Sequence, residues 1–243
     1  MKVIIVDDKV AIGQTVGQMF VDAVKNNPKV IFGLATGSSP ELTYQYLIED
    51  YQANHTDWSN VKTFNLDEYI GLEPTHSQSY RYFMNEKLFN HINIKKENTY
   101  VPSGVGDYVA LAKQYDEKIA MAGGIDLQLL GVGTNGHIGF NEPPADFDSL
   151  TGVVDLVEAT FQANARFFDS INDVPKQAVS MGIKSILNAR KIVLIADGEG
   201  KAQAIKHLVE GEISNLWPCT ALQTHQDVTI VIDQKAASLL TKQ

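Results

Sequence analysis

Short apolar runs, rich in β-branched residues, recur along the whole chain and alternate with segments whose apolar residues repeat every three or four positions. Several of the runs are continuously apolar, which is typical of strands buried on both faces of a sheet. The helical segments between them supply the crossovers that parallel strands require. The pattern predicts an α/β fold with a doubly wound, mainly parallel sheet and helices on both faces.

The apolar runs predict strands at Val3–Val6, Val30–Ala35, Val61–Leu66, Ile125–Gly131, Ile192–Ala196 and Val228–Ile232. Helical spacing predicts helices at Val10–Val24, Leu42–Tyr51, Tyr80–Phe89, Val109–Met121, Ala202–Val209 and Ala236–Leu240. No repeat, linker or low-complexity segment divides the 243 residues, of which 44% are hydrophobic. We therefore expect a single domain over residues 1–243.

The charge balance and the single cysteine exclude several classes of protein. Twenty Lys and Arg against 29 Asp and Glu give a net charge of −9, which disfavours binding to nucleic acid or to anionic membranes. No apolar run is long enough for a membrane span or a signal peptide, so a soluble, cytoplasmic protein is expected. Cys219 alone cannot form an internal disulfide or a cysteine-rich zinc site, and we expect it to be a small buried hydrophobe.

The segment Gly33–Pro40 follows a predicted strand and opens a predicted helix. Gly37 allows a close approach to the backbone, and the helix start favours anions. Pro40 suits the first helical position and Ser39 the cap. We predict an anion site formed by Thr36, Gly37, Ser38 and Ser39, which is not a Walker loop because no Gly-Lys-Ser/Thr follows. An ordinary capped turn is the alternative.

Two adjacent carboxylates, Asp67 and Glu68, stand at the end of the third predicted strand. Neighbouring side chains of extended backbone point to opposite faces, so the two are not expected to share a site. One would act chemically and the other would support it, unless the pair only marks a polar strand terminus.

The fourth predicted strand runs into a glycine-rich loop over residues 131–144, whose first six residues fit GxGxxG. A dinucleotide fingerprint requires a helix that starts among the glycines. Gly139 and the pair Pro143-Pro144 argue against a sustained helix here. The loop is therefore not expected to bind a nucleotide.

The same loop contains His137, with Asn135 and Glu142 close enough in sequence to orient its ring. Imidazole exchanges protons near neutral pH, and a carboxylate can fix its tautomer. A structural histidine is the usual alternative, but this cluster indicates chemistry.

Two cations could complete an anion clamp: Arg166, within Ala165-Arg166-Phe167-Phe168, and Lys201, which follows the fifth predicted strand. Taken singly, either one would be interpreted as a solvated surface charge. No metal site is predicted, because no defensible ligand spacing joins the remaining histidines, which are His55, His76, His91, His207 and His225.

Taken in order, LATGSSP, NLDEYIGL, GVGTNGHIGFNEP, ARFF and GEGKAQAIKHLVEG resemble the glucosamine-6-phosphate deaminase family over nearly the whole chain. The resemblance implies a Rossmann-like α/β domain that opens the sugar ring of D-glucosamine 6-phosphate. It then isomerises the aldose to a ketose and releases the amine, giving D-fructose 6-phosphate and ammonia. No metal or nucleotide cofactor is implied.

The resemblance also assigns roles to single residues. It implies that Asp67 is the base for proton transfer between C2 and C1, and that His137 opens the ring with assistance from Asn135 and Glu142. Longer members of the family often carry Asp in place of Asn135, so here the basicity of His137 depends more on Glu142. The implied phosphate ligands are the loop Thr36–Ser39, Arg166 and Lys201.

Two related functions are the alternatives. The 6-phosphogluconolactonases resemble this chain in fold and phosphate loop but hydrolyse a lactone. In that family Asp-Glu-Arg would be expected where this chain has Asp67-Glu68-Tyr69, and Ser-Leu-Phe-Pro where it has Gly139-Phe140-Asn141-Glu142-Pro143. A non-enzymatic sugar-phosphate sensor is disfavoured because no basic DNA-binding module precedes residue 1 and the proton-transfer residues are present.

The resemblance further implies a mobile lid over Phe147–Ser170 and a short, non-allosteric form. Gly152 and Val154 stand where allosteric members have basic effector ligands, and the chain ends at Gln243 without their additional segment. The sequence does not decide whether the protein forms a homo-oligomer.

Overall fold

The computed structural model describes residues 1–157, 168 and 170–241. Its main sheet contains β1 (Lys2–Val6), β2 (Ile31–Leu34), β3 (Lys62–Asn65), β5 (Thr99–Tyr100), β6 (Leu127–Leu130), β9 (Lys191–Ala196) and β10 (Val228–Asp233). The strand order is β1-β10-β9-β6-β2-β3-β5, and each neighbouring pair is parallel. The predicted doubly wound α/β fold is confirmed.

A second, antiparallel sheet lies beside the main one. It consists of β4 (Asp67–Tyr69), β8 (Gln177–Ser180) and β7 (Gly152–Asp155) in the order β4-β8-β7. Its register places Asp67 opposite Ser180. The sequence did not predict this sheet, because strands of three or four residues are too short to give a clear period.

Six α-helices connect the strands in the described residues: α1 (Lys9–Asn26), α2 (Glu41–Asn54), α3 (Tyr80–Met84), α4 (Tyr108–Ala122), α5 (Ile183–Leu187) and α6 (Ala202–Glu210). A π-helical turn, Asn85–Phe89, continues α3, and 3-10 turns occupy Lys96–Asn98, Ile171–Asp173, Glu199–Lys201 and Pro218–Thr224. Asp8 and Asp107 cap α1 and α4 by accepting the backbone N–H groups of Ala11 and Ala110. These caps satisfy donors that have no partner within the helix.

The core lies on both sides of the main sheet. Every residue of β2 and β6 is buried, and because successive side chains point to opposite faces, both faces must be covered. Phe32 of β2 packs against Phe20 of α1 and against Trp58, with ring centroids 4.5 Å and 5.9 Å apart. Burying one such ring contributes about 1.5–3 kcal/mol.

Two local predictions were wrong. Ala236–Leu240 forms turns rather than a helix, because its N–H groups bond mostly to carbonyls three residues back, as Ser238 does to Lys235 at 3.2 Å. Helix α2 begins at Glu41, so Pro40 takes the cap position and Ser39 does not cap the helix. The predicted strands are confirmed to within two residues at each end. Within the described residues, no helix has both the length and the apolar character needed to cross a membrane.

Candidate active site

A cavity of about 330 Å³ opens at the edge of the main sheet where β2, β3, β6 and β9 end. This is the edge at which parallel α/β sheets place their ligands. The loops after these four strands provide its walls, together with the first residue of α3. The lining residues are Ala35–Ser39, Leu66, Asp67, Tyr80, Gly131–Thr134, His137, Gly139, Phe140 and Lys201.

The loop after β2 forms the predicted anion-binding wall. Thr36, Ser38 and Ser39 line the cavity with Gly37, whose φ of 86° is one that other residues rarely adopt. Behind the loop, the buried hydroxyl of Tyr44 donates a hydrogen bond to the carbonyl of Ala35. Helix α2 follows at once, so its positive end and the backbone N–H groups of the loop favour an anion here.

Lys201 reaches the same cavity from the loop after β9. Burial lowers the pKa of its ammonium group, and the carboxylate of Asp197 opposes this effect. Among the described residues, Lys201 makes no ion pair or side-chain hydrogen bond, which leaves its charge available to a bound anion. Arg166, the other predicted cation, lies outside the described residues.

Asp67, the first residue of β4, directs its carboxylate into the cavity although the residue is only 7% exposed. No hydrogen bond from a described residue reaches this carboxylate. Burial raises the pKa of Asp67 to about 8, and the negative charge of Glu68 adds to the effect. A carboxylate in this setting is a much stronger base than an exposed one.

Glu68 points away from the cavity, as extended backbone predicts. Its carboxylate accepts the backbone N–H groups of Tyr69 and Tyr80 at 2.9 Å each and that of Arg81 at 3.0 Å. Burial raises the pKa of Glu68, and these hydrogen bonds oppose the rise. Glu68 therefore fixes the start of α3 and with it Tyr80, which lines the cavity.

His137 is held by the two residues that the sequence associates with it. Its Nδ1 lies 2.8 Å from Oδ1 of Asn135 and 3.2 Å from Oε1 of Glu142, while Nδ2 of Asn135 donates to Oε2 of Glu142 at 2.7 Å. The Glu142 side chain is 11% exposed and that of His137 is 32% exposed. With the proton on Nδ1 facing these oxygens, Nε2 is the nitrogen free to accept a proton from a bound molecule.

The glycines of this loop make room for the imidazole and for the layer behind it. A Cβ on Gly133 would lie 2.2 Å from Nδ1 of His137. One on Gly136, whose φ is 83°, would lie 2.9 Å from the Trp217 ring and 3.2 Å from Sγ of Cys219. The described loop contains no helix, as predicted. The glycines of the GxGxxG pattern are therefore explained by the packing of His137 and Trp217 against the loop, without a bound nucleotide.

Cys219 supports the same loop from behind. Its backbone N–H donates to the carbonyl of Gly136 at 2.8 Å, and its side chain is fully buried as predicted. Burial raises the pKa of the Cys219 thiol to about 12. The thiol is therefore a packing group rather than a nucleophile.

Sequence reasoning missed Tyr80, Gly139, Phe140 and Ser180. Oγ of Ser180 accepts the N–H of Phe140 at 3.1 Å and so fixes the turn at Gly139. A Cβ on Gly139 would lie 3.1 Å from that Oγ and 3.7 Å from Oδ2 of Asp67. Gly139 and Phe140 belong to the glycine-rich loop and could have been suspected from the sequence. Ser180 and Tyr80 could not, because they are distant in sequence and reach the site only through the tertiary fold.

The described residues contain no group of His, Cys, Asp and Glu side chains that could hold a metal ion. The predicted lid over Phe147–Ser170 includes residues 158–167 and 169, which lie outside the described residues. Its described part contains β7, which pairs with β8.

Comparisons with known proteins agree with the geometry. The family described as glucosamine-6-phosphate isomerases/6-phosphogluconolactonase matches residues 9–231. The chain is 52% identical to a glucosamine-6-phosphate deaminase of Mycoplasma mycoides subsp. mycoides SC over 99% of this chain and 98% of the relative. It is 48% identical to a glucosamine-6-phosphate deaminase of Clostridium perfringens over 99% of this chain and 100% of the relative.

Among solved structures, a monomeric glucosamine-6-phosphate deaminase superposes with a TM-score of 0.95 at 44% identity, over 99% of this chain and 100% of that one. The 6-phosphogluconolactonase from Trypanosoma cruzi superposes with a TM-score of 0.79 at 18% identity, over 99% and 97% of the two chains. The second likeness shows the shared fold alone.

Proposed function

The chain belongs to the glucosamine-6-phosphate deaminase family, and on that premise we propose that it converts D-glucosamine 6-phosphate and water to D-fructose 6-phosphate and ammonia through the cavity at the strand ends. Asp67 and His137 are the proton-transfer residues. Asn135 and Glu142 orient His137. Thr36, Gly37, Ser38, Ser39, Arg166 and Lys201 bind the phosphate.

Phosphate binding fixes the substrate by the end remote from its reacting carbons. The hydroxyl groups and backbone N–H groups of the loop Thr36–Ser39 donate to the phosphate oxygens, and the ammonium of Lys201, which lines the same cavity, pairs with their negative charge. In a protein of net charge −9, such local donors are required to hold an anion. The binding energy positions C1 and C2 for reaction.

Ring opening is assigned to His137. Nε2 takes the proton of the anomeric hydroxyl and returns a proton to the ring oxygen as the bond between that oxygen and C1 breaks. The contacts of Nδ1 with Asn135 and Glu142 stabilise the imidazolium that forms in between. The product is the open-chain aldehyde.

Isomerisation is assigned to Asp67. Its carboxylate removes the proton from C2 of the aldehyde while O1 takes a proton from solvent, which leaves a neutral enol, and the carboxyl group then delivers the C2 proton to C1. The C2 amine thereby becomes an iminium group, which water hydrolyses to the ketone with release of ammonia. No residue in the described part of the chain donates a hydrogen bond to this carboxylate, and its pKa is raised; both favour removal of a proton from carbon.

One observation carries the proposal: a buried carboxylate and an ammonium group, neither of them hydrogen-bonded to a described residue, open into the same cavity as an oriented imidazole and a hydroxyl-rich loop. Aldose–ketose isomerisation of a phosphorylated sugar needs all of these groups together. A lactone hydrolase would not need a base poised over carbon.

The test is to supply D-glucosamine 6-phosphate and to measure ammonia and fructose 6-phosphate, with 6-phosphogluconolactone as a parallel substrate. Equal amounts of ammonia and fructose 6-phosphate, with no lactone hydrolysis above the spontaneous rate, are expected. Lactone hydrolysis without ammonia release would overturn the proposal, and so would sugar-phosphate binding without turnover, which is the behaviour of a sensor.

A further inference from the structure

Asp233, the last residue of β10, holds the turn that carries Lys201. Both of its carboxylate oxygens lie 3.1 Å from the backbone nitrogen of Gly198, and Oδ1 also accepts the N–H of Ala236 at 2.7 Å. The residue is buried at 7% exposure. Because β9 and β10 pair in parallel with Ile232 opposite Ala196, the end of β10 lies directly beside the turn after β9.

The turn after β9 depends on this anchor for its shape. Gly198 adopts a φ of 84°, and its carbonyl accepts the N–H of Lys201 at 3.1 Å. Gly200, which precedes Lys201, lies beside the loop of His137, since a Cβ there would make an ordinary van der Waals contact with Thr134 at 3.8 Å. A shift of Gly198 would therefore move the backbone of Lys201 relative to the opposite, hydroxyl-rich wall.

A carboxylate near an anion site is unfavourable by itself, since its field repels the ligand. The carboxylate of Asp233 accepts hydrogen bonds from two backbone N–H groups, those of Gly198 and Ala236. Hydrogen bonds to a charged acceptor are about twice as strong as neutral ones, so the charge strengthens its hold on the turn. The N–H of Gly198 is thereby occupied by Asp233, and that of Lys201 by the carbonyl of Gly198, so neither of these two groups is available to a ligand.

We infer that Asp233 is a positioning residue for phosphate recognition, which acts only through the turn at Gly198 and the ammonium of Lys201. The inference rests on the proposed function of the cavity. It predicts that Asp233 has no effect on sugar-phosphate binding once the Lys201 ammonium has been removed.

A double-mutant cycle measures this coupling directly. Binding of D-fructose 6-phosphate is followed by calorimetry for the unmodified protein, Asp233→Asn, Lys201→Ala and the double variant. We expect Asp233→Asn to weaken binding roughly 5- to 10-fold in the original background and less than about twofold in the Lys201→Ala background. Asn keeps the shape and one acceptor oxygen, so the variant is expected to fold.

The matched control is Asp126→Asn, at the opposite edge of the sheet. Asp126 likewise accepts a backbone N–H, that of Ile31 at 2.8 Å, and pairs with Arg190 at 2.9 Å, but it precedes β6 and so lies far along the strands from the turn that carries Lys201. Binding by this variant should be unchanged even if its unfolding temperature falls as far as that of Asp233→Asn. Equal losses of binding from Asp233→Asn in both backgrounds would overturn this inference alone, whereas absence of binding to the unmodified protein would overturn the proposed function as well.

Discussion

At the scale of single residues, Asp67 and Glu68 are neighbours in sequence but differ in what surrounds their carboxylates. Glu68 accepts three backbone N–H groups, whereas no described residue donates to Asp67. Hydrogen bonds stabilise the charged form of a carboxylate, so their absence leaves desolvation as the dominant influence on Asp67. The difference fits the roles proposed for them, with Glu68 as a positioning group and Asp67 as the base.

The first prediction concerns the division of labour between Asp67 and His137. Asp67→Asn should abolish exchange of the C2 hydrogen with solvent and lower kcat by roughly 10²- to 10⁴-fold, because the base is lost. His137→Gln should mainly slow ring opening. Deuterium incorporation, followed by NMR in D₂O, tests the assignment. Undiminished C2 exchange in Asp67→Asn would refute the role of the base.

The raised pKa of Asp67 also predicts how stability depends on pH. In the unfolded chain this carboxyl ionises near its ordinary value of 3.8, whereas in the folded protein its pKa is about 8. The folded state therefore binds the proton more tightly, and its stability falls as the pH rises between these values. Above about pH 8 the penalty is complete and amounts to a few kcal/mol.

Asp67→Asn removes that penalty, so it should stabilise the fold by a few kcal/mol more near about pH 9 than near about pH 4. Urea unfolding of the variant and the unmodified protein at both pH values measures the difference. A free-energy difference independent of pH would show that Asp67 is not desolvated.

At the scale of elements, the loops after β2 and β9 face each other across the cavity. Lys201→Ala should weaken binding of the sugar phosphate by roughly 1–3 kcal/mol, the value of a charge-assisted hydrogen bond, and Arg166→Ala by a similar amount. Lys184→Ala, which removes an exposed lysine paired with Asp148, is the control and should change nothing. Phosphate-free glucosamine should bind all these variants as it binds the original protein; equal losses for both ligands would show that these cations do not recognise the phosphate.

The turn at Gly139 provides a test of close packing beside the base. Gly139→Ala and Gly71→Ala both place a side chain at positive φ, 56° and 94°, and each should lose about 1–2 kcal/mol of stability. Only at Gly139 does the new Cβ approach Ser180 and Asp67, since the space around Gly71 is open. We expect kcat to fall about tenfold or more in Gly139→Ala alone. Similar kinetics for the two variants would contradict this.

The elements also show how far sequence reasoning reaches. Continuous apolar runs predicted the strands of the main sheet other than β5, which has two residues and leaves no pattern. The opposite orientations of Asp67 and Glu68 followed from extended backbone. The β4-β8-β7 sheet was not predicted, because its strands have three or four residues and are not continuously apolar, so that they leave no clear pattern. Apolar spacing misled at Ala236–Leu240, where the N–H groups of Ser238 and Leu240 bond to carbonyls three residues back and the segment forms turns.

At the scale of the whole molecule, the sequence and the fold lead to a prediction about allosteric regulation. Gly152 and Val154 lie on β7 and carry no charge, so neither can supply the cation that a second phosphate site needs in a protein of net charge −9. Activation requires an effector that binds two states with different affinity. We predict hyperbolic kinetics that N-acetylglucosamine 6-phosphate leaves unchanged except for weak competition. Rates measured against substrate concentration, with and without millimolar effector, test this; a sigmoidal curve made hyperbolic by the effector would refute it.

The buried position of Cys219 has a practical consequence for the whole molecule. Thiol reagents attack thiolates that they can reach, and the only cysteine of this chain is both inaccessible and protonated at neutral pH. A cysteine introduced on the surface, for example by Met121→Cys at a position 81% exposed, would thus be the only one to take up a spectroscopic label. Distances and motions around the cavity can be followed in this protein without first removing a native thiol.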